Sequence, residues 1–295
     1  MSDGWVALAG SLQPGVTTDL RTYLDGEGGE VEITTTVTVE QQVTVRERLR
    51  FGATAMPGKP TADLLAAMPG LRYMRDFGKD GPDADSLPEL PAHGAGKMAT
   101  PASCLIHVSW KDDVEQLAGW LDGLTRPVYL TWWHEPMGDI TPAEYRAAGK
   151  HMAEIIAGHP NRRLVLGNGP IVTRWWLDQG GGNPADWWYD GATFYGVDCY
   201  NDSKVKYRTP AEMFGSAARV ARDRGVPWLV PEFGVERTTT DKDGSGRAKA
   251  LREHAAWLRQ QRDCLAVGWW NIGGGIIAGL EPEQSVWRDV LAGPK

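Results

Sequence analysis

The chain is poor in cysteine, in basic clusters and in long apolar runs, and each shortage removes a class of protein. Three cysteines in 295 residues (Cys104, Cys199 and Cys264) are odd in number and widely spaced, so they form neither a disulfide framework nor a CxxC metal site. Acidic residues outnumber basic ones, 38 to 31, for a net charge of −7. Without a basic block the chain lacks the electrostatic footprint of nucleic-acid binding. No apolar run approaches the length of roughly 18 residues that spans a bilayer, so no membrane partner is expected. The N-terminal Met1-Ser-Asp-Gly-Trp has no basic n-region and only a short apolar stretch after it, unlike a signal peptide. A cytoplasmic location is the default expectation, with secretion or carriage on a virion by another route as the alternatives. Oligomeric state is not set by the sequence.

Phenylalanine and tyrosine are also scarce, at 5 and 8, whereas tryptophan reaches 14. Eight of these tryptophans form the doublets 132–133, 175–176, 187–188 and 269–270. Indole buries a large apolar area but needs a partner for its N–H. A bulky core and a cleft that stacks flat amphipathic ligands, such as sugar rings, both account for the excess.

From residue 49 onward, short apolar runs recur: Leu49–Met56, Leu71–Phe77, Cys104–Trp110, Val128–Trp133, Arg163–Leu166, Ala192–Cys199, Pro227–Val230 and Leu265–Trp270. Their mean spacing of about 31 residues matches a strand plus its crossover helix. Between them lie helix signals. Thr141-Pro-Ala-Glu144 and Thr209-Pro-Ala-Glu212 are capping boxes with proline at the first helical position. Asp112–Leu124 and Arg247–Arg262 carry apolar residues at helical spacing. Eight such units predict an α/β fold, a (β/α)8 TIM barrel, over residues 49–295. Residues 1–48 stand outside the rhythm. Glu30–Arg46 alternates Val and Ile with Thr, Glu and Gln, predicting one or two antiparallel strands in a β-rich extension that covers the bottom or side of the barrel and is not an independent domain.

Three motifs fail on inspection. Gly52–Lys59 has five residues between its glycines and Pro60 where a phosphate loop needs Ser or Thr. Gly273–Ala278 fits a dinucleotide fingerprint by letter but follows the last run instead of the first. His134-Glu135-Pro136-Met137-Gly138 lacks the second histidine of a zinc helix. No metal or organic cofactor is expected.

Barrel enzymes place their chemistry where strands end. Here the run ends supply Arg75, His107 and Trp110, then Trp133-His134-Glu135, Asp198-Cys199-Tyr200, Glu232-Phe233-Gly234 and Trp269-Trp270-Asn271. A lone glutamate at a strand end is usually solvated or paired with arginine. Two of them, on the fourth and seventh strands across one barrel mouth and each beside an aromatic, point instead to paired carboxyl chemistry. Glycoside hydrolysis uses two such groups, one protonated and one ionised, about 5 Å apart when configuration is retained.

These residues resemble clan A retaining glycoside hydrolases: His-Glu after strand 4, Asp-x-Tyr-Asn after strand 6, Glu-Phe-Gly after strand 7 and Trp-Trp-Asn after strand 8. Within the clan they are most similar to family 26, whose best-known members are β-mannanases and which also carries histidine before its acid. The resemblance implies Glu135 as acid/base, Glu232 as nucleophile, Tyr200 hydrogen-bonded to that nucleophile and Asp198 in the same network. It further implies Trp270 or Trp269 as the platform under the sugar and His107 in contact with it. The strand ends themselves add His134, Arg75, Trp110, Trp133 and Asn271 as candidate substrate-binding residues. Where the family has Arg-Pro before His-Glu and Asn-Gly after it, this chain has Thr131-Trp132 and Pro136-Met137-Gly138-Asp139. The implied function is an endo-acting, retaining hydrolase of a polysaccharide or oligosaccharide, by default β-mannan-like, with a bacterial wall or capsular glycan as the other substrate class. A non-catalytic carbohydrate-binding barrel, such as a receptor-recognition module of a phage particle, is the alternative. A barrel aldolase would want a strand-end lysine, for which only Lys111 stands near.

Overall fold

The computed structural model describes residues 20–23, 30–33, 49–54, 66–76, 105–110, 114–124, 127–173, 182–201, 203–271 and 273–293. The chain divides into two compact units, Met1–Arg48 and Leu49–Lys295. In the first, β1 (Leu20–Tyr23) pairs antiparallel with β2 (Glu30–Ile33), Leu20 opposite Ile33. The start of the alternating segment is therefore a strand, and its remainder lies outside the described residues.

The second unit is built on nine parallel strands: β3 (Arg50–Thr54), β4 (Tyr73–Asp76), β5 (Leu105–Trp110), β6 (Val128–Trp132), β7 (Val165–Asn168), β8 (Ile171–Thr173), β9 (Tyr195–Asn201), β10 (Trp228–Val235) and β11 (Cys264–Trp270). Their order is β7-β6-β5-β4-β3-β11-β10-β9-β8. The first and last members, β7 and β8, are consecutive in the chain with only Gly169-Pro170 between them, so the sheet curls into a barrel. One strand was expected in this place, over Arg163–Leu166. Arg163 and Leu164 instead end a 3-10 turn (Pro160–Leu164), and the strand runs on to Thr173 in two pieces. Pro170 has no N–H to continue a ladder. A Cβ on Gly169 would lie 2.1 Å from the Phe194 carbonyl oxygen, so a side chain is excluded there. β7 therefore pairs with β6, and β8 with β9.

The described helices are α1 (Leu117–Asp122), α2 (Pro142–Gly158), α3 (Pro210–Arg224), α4 (Ser245–Gln260) and α5 (Glu283–Ala292). Both expected capping boxes form, at Thr141 with Glu144 and at Thr209 with Glu212. Alternation along the strands sends Ile106, Val108, Leu130, Val197 and Cys199 outward to a large core under the helices. Inside the barrel a smaller apolar cluster, Tyr73, Leu105, Tyr129, Phe194, Leu229 and Ala266, fills the strand starts. Toward the strand ends the buried residues become polar: Arg75, His107, Ser109, Thr131, Asp198 and Glu232. No helix among the described residues is long and apolar enough to cross a membrane.

Two helical glycines report opposite environments. A Cβ at exposed Gly119 in α1 meets nothing within 4 Å, whereas one at Gly149 in α2 would lie 2.4 Å from the Tyr189 ring. Gly119→Ala should stabilise the protein by up to about 1 kcal/mol through helix propensity and unfolded-state entropy. Gly149→Ala should destabilise it by about 1–3 kcal/mol by overpacking. Chemical denaturation of the two variants checks both signs.

Candidate active site

The loop after β6 begins with an unusual backbone. Trp133 and Glu135, on either side of His134, both have positive φ, 48° and 50°. For side chains of this size such conformations cost about 1 kcal/mol or more and persist only when neighbours fix them. Two contacts do so here. The Glu135 N–H donates to the Ile171 carbonyl at 3.0 Å, and the Trp133 indole donates to Asp139 at 2.9 Å. The Thr173 hydroxyl bonds the Glu135 carboxylate. The acid is therefore seated against β8, the second half of the split strand.

Glu232 owes its place to a second interruption. β10 contains Pro231, and its register with both neighbours slips on the way to Phe233. Such an irregularity releases a backbone N–H from the ladder and re-aims a side chain. The Glu232 N–H donates to Asp198 Oδ1 at 2.9 Å. Asp198 Oδ2 accepts from Arg75 Nη1 at 2.8 Å, and the same nitrogen lies 2.6 Å from Glu232 Oε1. The Tyr200 phenol donates to Glu232 Oε2. Arg75 is fully buried and is oriented by Ser109, whose Oγ accepts from Nε at 3.2 Å and from Nη2 at 2.9 Å.

Carboxylate oxygens of Glu135, Asp198 and Glu232 lie within 4.8 Å of one another. Three acids thus face one guanidinium, and they cannot all ionise cheaply. Burial and then the Asp198 charge raise Glu135 to about 7, against the pull of Arg75 and the Thr173 bond. Burial and then Asp198 push Glu232 upward, with a smaller push from Glu135, while Arg75 opposes them; burial likewise raises Asp198 against the pull of Arg75. Burial works against the Arg75 charge, but the two carboxylates outweigh it and keep the guanidinium ionised. By spacing the three acids could ligate a cation. Arg75 already fills that role between Asp198 and Glu232, and Tyr200 faces the remaining Glu232 oxygen, so this donor set suits proton chemistry better than metal binding.

The other expected residues divide. Trp270 is half-buried and meets the Tyr200 ring edge-on, centroids 6.3 Å apart, which puts it beside Glu232. Trp133 and His134 are half-buried in the turn that carries Glu135. Asn271 accepts from the Ile277 and Ala278 N–H groups and so shapes the loop after β11. Two placements correct the expectation. Trp269 is fully buried outside the barrel against Phe233 and Trp287, its indole donating to the Gly275 carbonyl. His107 is fully buried inside the barrel, hydrogen-bonded between Tyr73 and Thr131. The side chain of Trp110 lies outside the described residues. Doublets split by alternation: Trp132 and Trp269 enter the layer under the helices, Trp133 and Trp270 stay at the rim. Ser109 and Thr173 escaped the sequence reading. Ser109 stands two residues after His107 on the inner face of β5, a signal that alternation offered; Thr173 lies beyond a break that was not foreseen.

No family model and no curated protein matches the chain. Solved structures do. A GH128 (subgroup I) endo-β-1,3-glucanase from Amycolatopsis mediterranei in complex with laminaritriose aligns with a TM-score of 0.54 at 13% identity, covering 82% of this chain and 99% of that one. The endo-β-1,4-glucanase Xac0029 from Xanthomonas axonopodis pv. citri gives 0.52 at 14%, covering 82% and 98%. An endo-β-1,4-mannanase double mutant from Cellulomonas fimi gives 0.50 at 14%, covering 84% and 71%. At this identity the likeness is one of fold: the chain shares its α/β barrel with these glycoside hydrolases.

Proposed function

We propose that the chain is a retaining glycoside hydrolase of the clan A type, cleaving a β-linked polysaccharide internally. One observation carries this reading: Glu135 and Glu232, from opposite sides of the barrel, bring carboxylate oxygens within 4.8 Å of each other in unlike settings. Retaining glycosidases hold their two carboxyl groups about 5 Å apart. Glu232 receives Arg75 and Tyr200, donors to its carboxylate oxygens that oppose the upward push of burial and of the neighbouring acids and suit it to the nucleophile's role. Glu135, raised to about 7, keeps its proton well above the ordinary carboxyl range, which suits a general acid.

In this mechanism Glu135 protonates the glycosidic oxygen as Glu232 attacks the anomeric carbon, giving a glycosyl ester on Glu232 and a free leaving sugar. Glu135, now ionised, takes a proton from water, which attacks the anomeric carbon and releases Glu232. Arg75 and Tyr200 keep the nucleophile oriented through both displacements, and Trp270 stacks on the C–H face of the reacting sugar. β-Mannan is the default substrate. The β-1,3- and β-1,4-glucans named for the similar structures follow it in a test panel. A second reading draws on another similar fold, a GH128 (subgroup VII) oligosaccharide-binding protein from Trichoderma gamsii, TM-score 0.51. A binding barrel would retain glycan but release no reducing ends.

Glu135→Ala and Glu232→Ala should each lower reducing-end release by roughly a thousandfold or more, with circular dichroism unchanged. Near-parental turnover in either variant would overturn the assignment. The pH dependence has a defined sign. Because the folded protein holds the Glu135 proton up to about 7, against an ordinary value of 4.5, its stability falls as pH rises across that window. Glu135→Gln cannot ionise, so it should gain on the parent between these values, by up to about 3 kcal/mol at pH 8, with a constant difference below pH 4.5. The kcat/KM profile should turn down on its alkaline side near pH 7. Urea titrations and initial rates across pH check the two.

A further inference from the structure

His107 is fully buried, and its surroundings leave it little freedom. Its Nδ1 lies 2.8 Å from the Tyr73 hydroxyl and its Nε2 2.9 Å from Thr131 Oγ1, and the Thr131 hydroxyl donates to the Gly169 carbonyl at 2.9 Å. All three side chains are buried within the barrel. The Thr131 hydroxyl has one proton and gives it to Gly169, so towards His107 it is an acceptor and Nε2 carries the hydrogen. Burial and the Arg75 charge keep His107 neutral, which leaves Nδ1 as the acceptor for Tyr73. The chain therefore runs in one direction, from Tyr73 through His107 and Thr131 to the carbonyl of Gly169.

That carbonyl belongs to the break in the split strand. On the far side of Pro170, Ile171 accepts the Glu135 N–H and Thr173 holds the Glu135 carboxylate. Gly169 and Pro170 are also fixed from both flanks, the Gly169 N–H donating to Leu130 and the Pro170 carbonyl accepting from Gly196. Glu135 has a positive φ that its seat must maintain. We propose that Thr131 and His107 are positioning residues for Glu135: the directed chain locks the Gly169-Pro170 break from inside the barrel and so holds the seat on which the acid rests. This deepens the reading of Glu135 as acid/base and assigns His107 a task other than sugar contact.

The test needs no substrate. The pH midpoint of Glu135 is read as the pH dependence of stability in the parent minus that in the Glu135→Gln variant, and then again with Thr131→Val in both chains. Valine keeps the shape of threonine and removes the donor to Gly169. The expected result is a midpoint raised above about 7 by about half a pH unit or more, because the Thr173 bond that lowers it is loosened. Thr131→Ser, which keeps the hydroxyl, should restore it. On a cleaved glycan, Thr131→Val should lower kcat roughly tenfold to a hundredfold with KM little changed, the signature of a misplaced acid. A lowered melting temperature with an unmoved midpoint would make the chain a stability feature alone and overturn the proposal. If Thr131→Val does not fold, Tyr73→Phe replaces it: removing the donor to Nδ1 should raise the midpoint in the same direction, and no movement overturns the proposal. Failure here leaves the turnover of the Glu135→Ala and Glu232→Ala variants untouched, so the two readings fall separately.

Discussion

A single buried guanidinium holds the candidate site together. Arg75 places one nitrogen between Asp198 and Glu232 and turns its other two to Ser109. Taking these charges out of water is costly, and removing one partner of such a group typically costs about 3–5 kcal/mol because the other is left uncompensated. The barrel supplies the compensation from three other strands: Ser109 on β5, Asp198 on β9 and Glu232 on β10. The inner apolar cluster below keeps water from the strand starts, which strengthens every interaction in the polar layer above it.

The two glutamates are placed by breaks in that regular frame. Pro231 interrupts the ladder of β10 and frees the Glu232 N–H for Asp198. Gly169-Pro170 interrupts the strand between β6 and β9, and the half beyond the break supplies the seat of Glu135. In each case a residue that cannot donate to a ladder ends one set of backbone bonds and releases a group for the site. The left-handed turn at Trp133 and Glu135 adds local strain on the acid side, where the surrounding contacts over-determine the backbone.

Much of this is legible in the amino-acid order, and the remainder is not for definable reasons. Strand positions, both capping boxes and the gathering of Glu135, Asp198, Tyr200 and Glu232 follow from periodicity and strand ends, since these are local patterns repeated along the chain. The split at Gly169-Pro170 was missed because the apolar signal stops at Leu166 and resumes at Ile171. His107 and Trp269 were misplaced for a shared reason. Near a strand end one residue of phase decides between cleft, barrel interior and helix layer, and neighbours such as Tyr73 and Thr131 are distant in sequence. The tryptophan excess resolves on the same basis, with Trp132, Trp187 and Trp269 in the core and Trp133 and Trp270 at the rim.

The proposed double displacement, with Glu135 as the acid and Glu232 as the nucleophile, makes a stereochemical demand on the product. The most direct measurement is proton NMR of the first anomer released from whichever glycan of the panel is cleaved, recorded before mutarotation. Release of the anomer with the configuration of the parent glycosidic bond is the expected result. Release of the opposite anomer would contradict a nucleophilic Glu232 and the double displacement built on it.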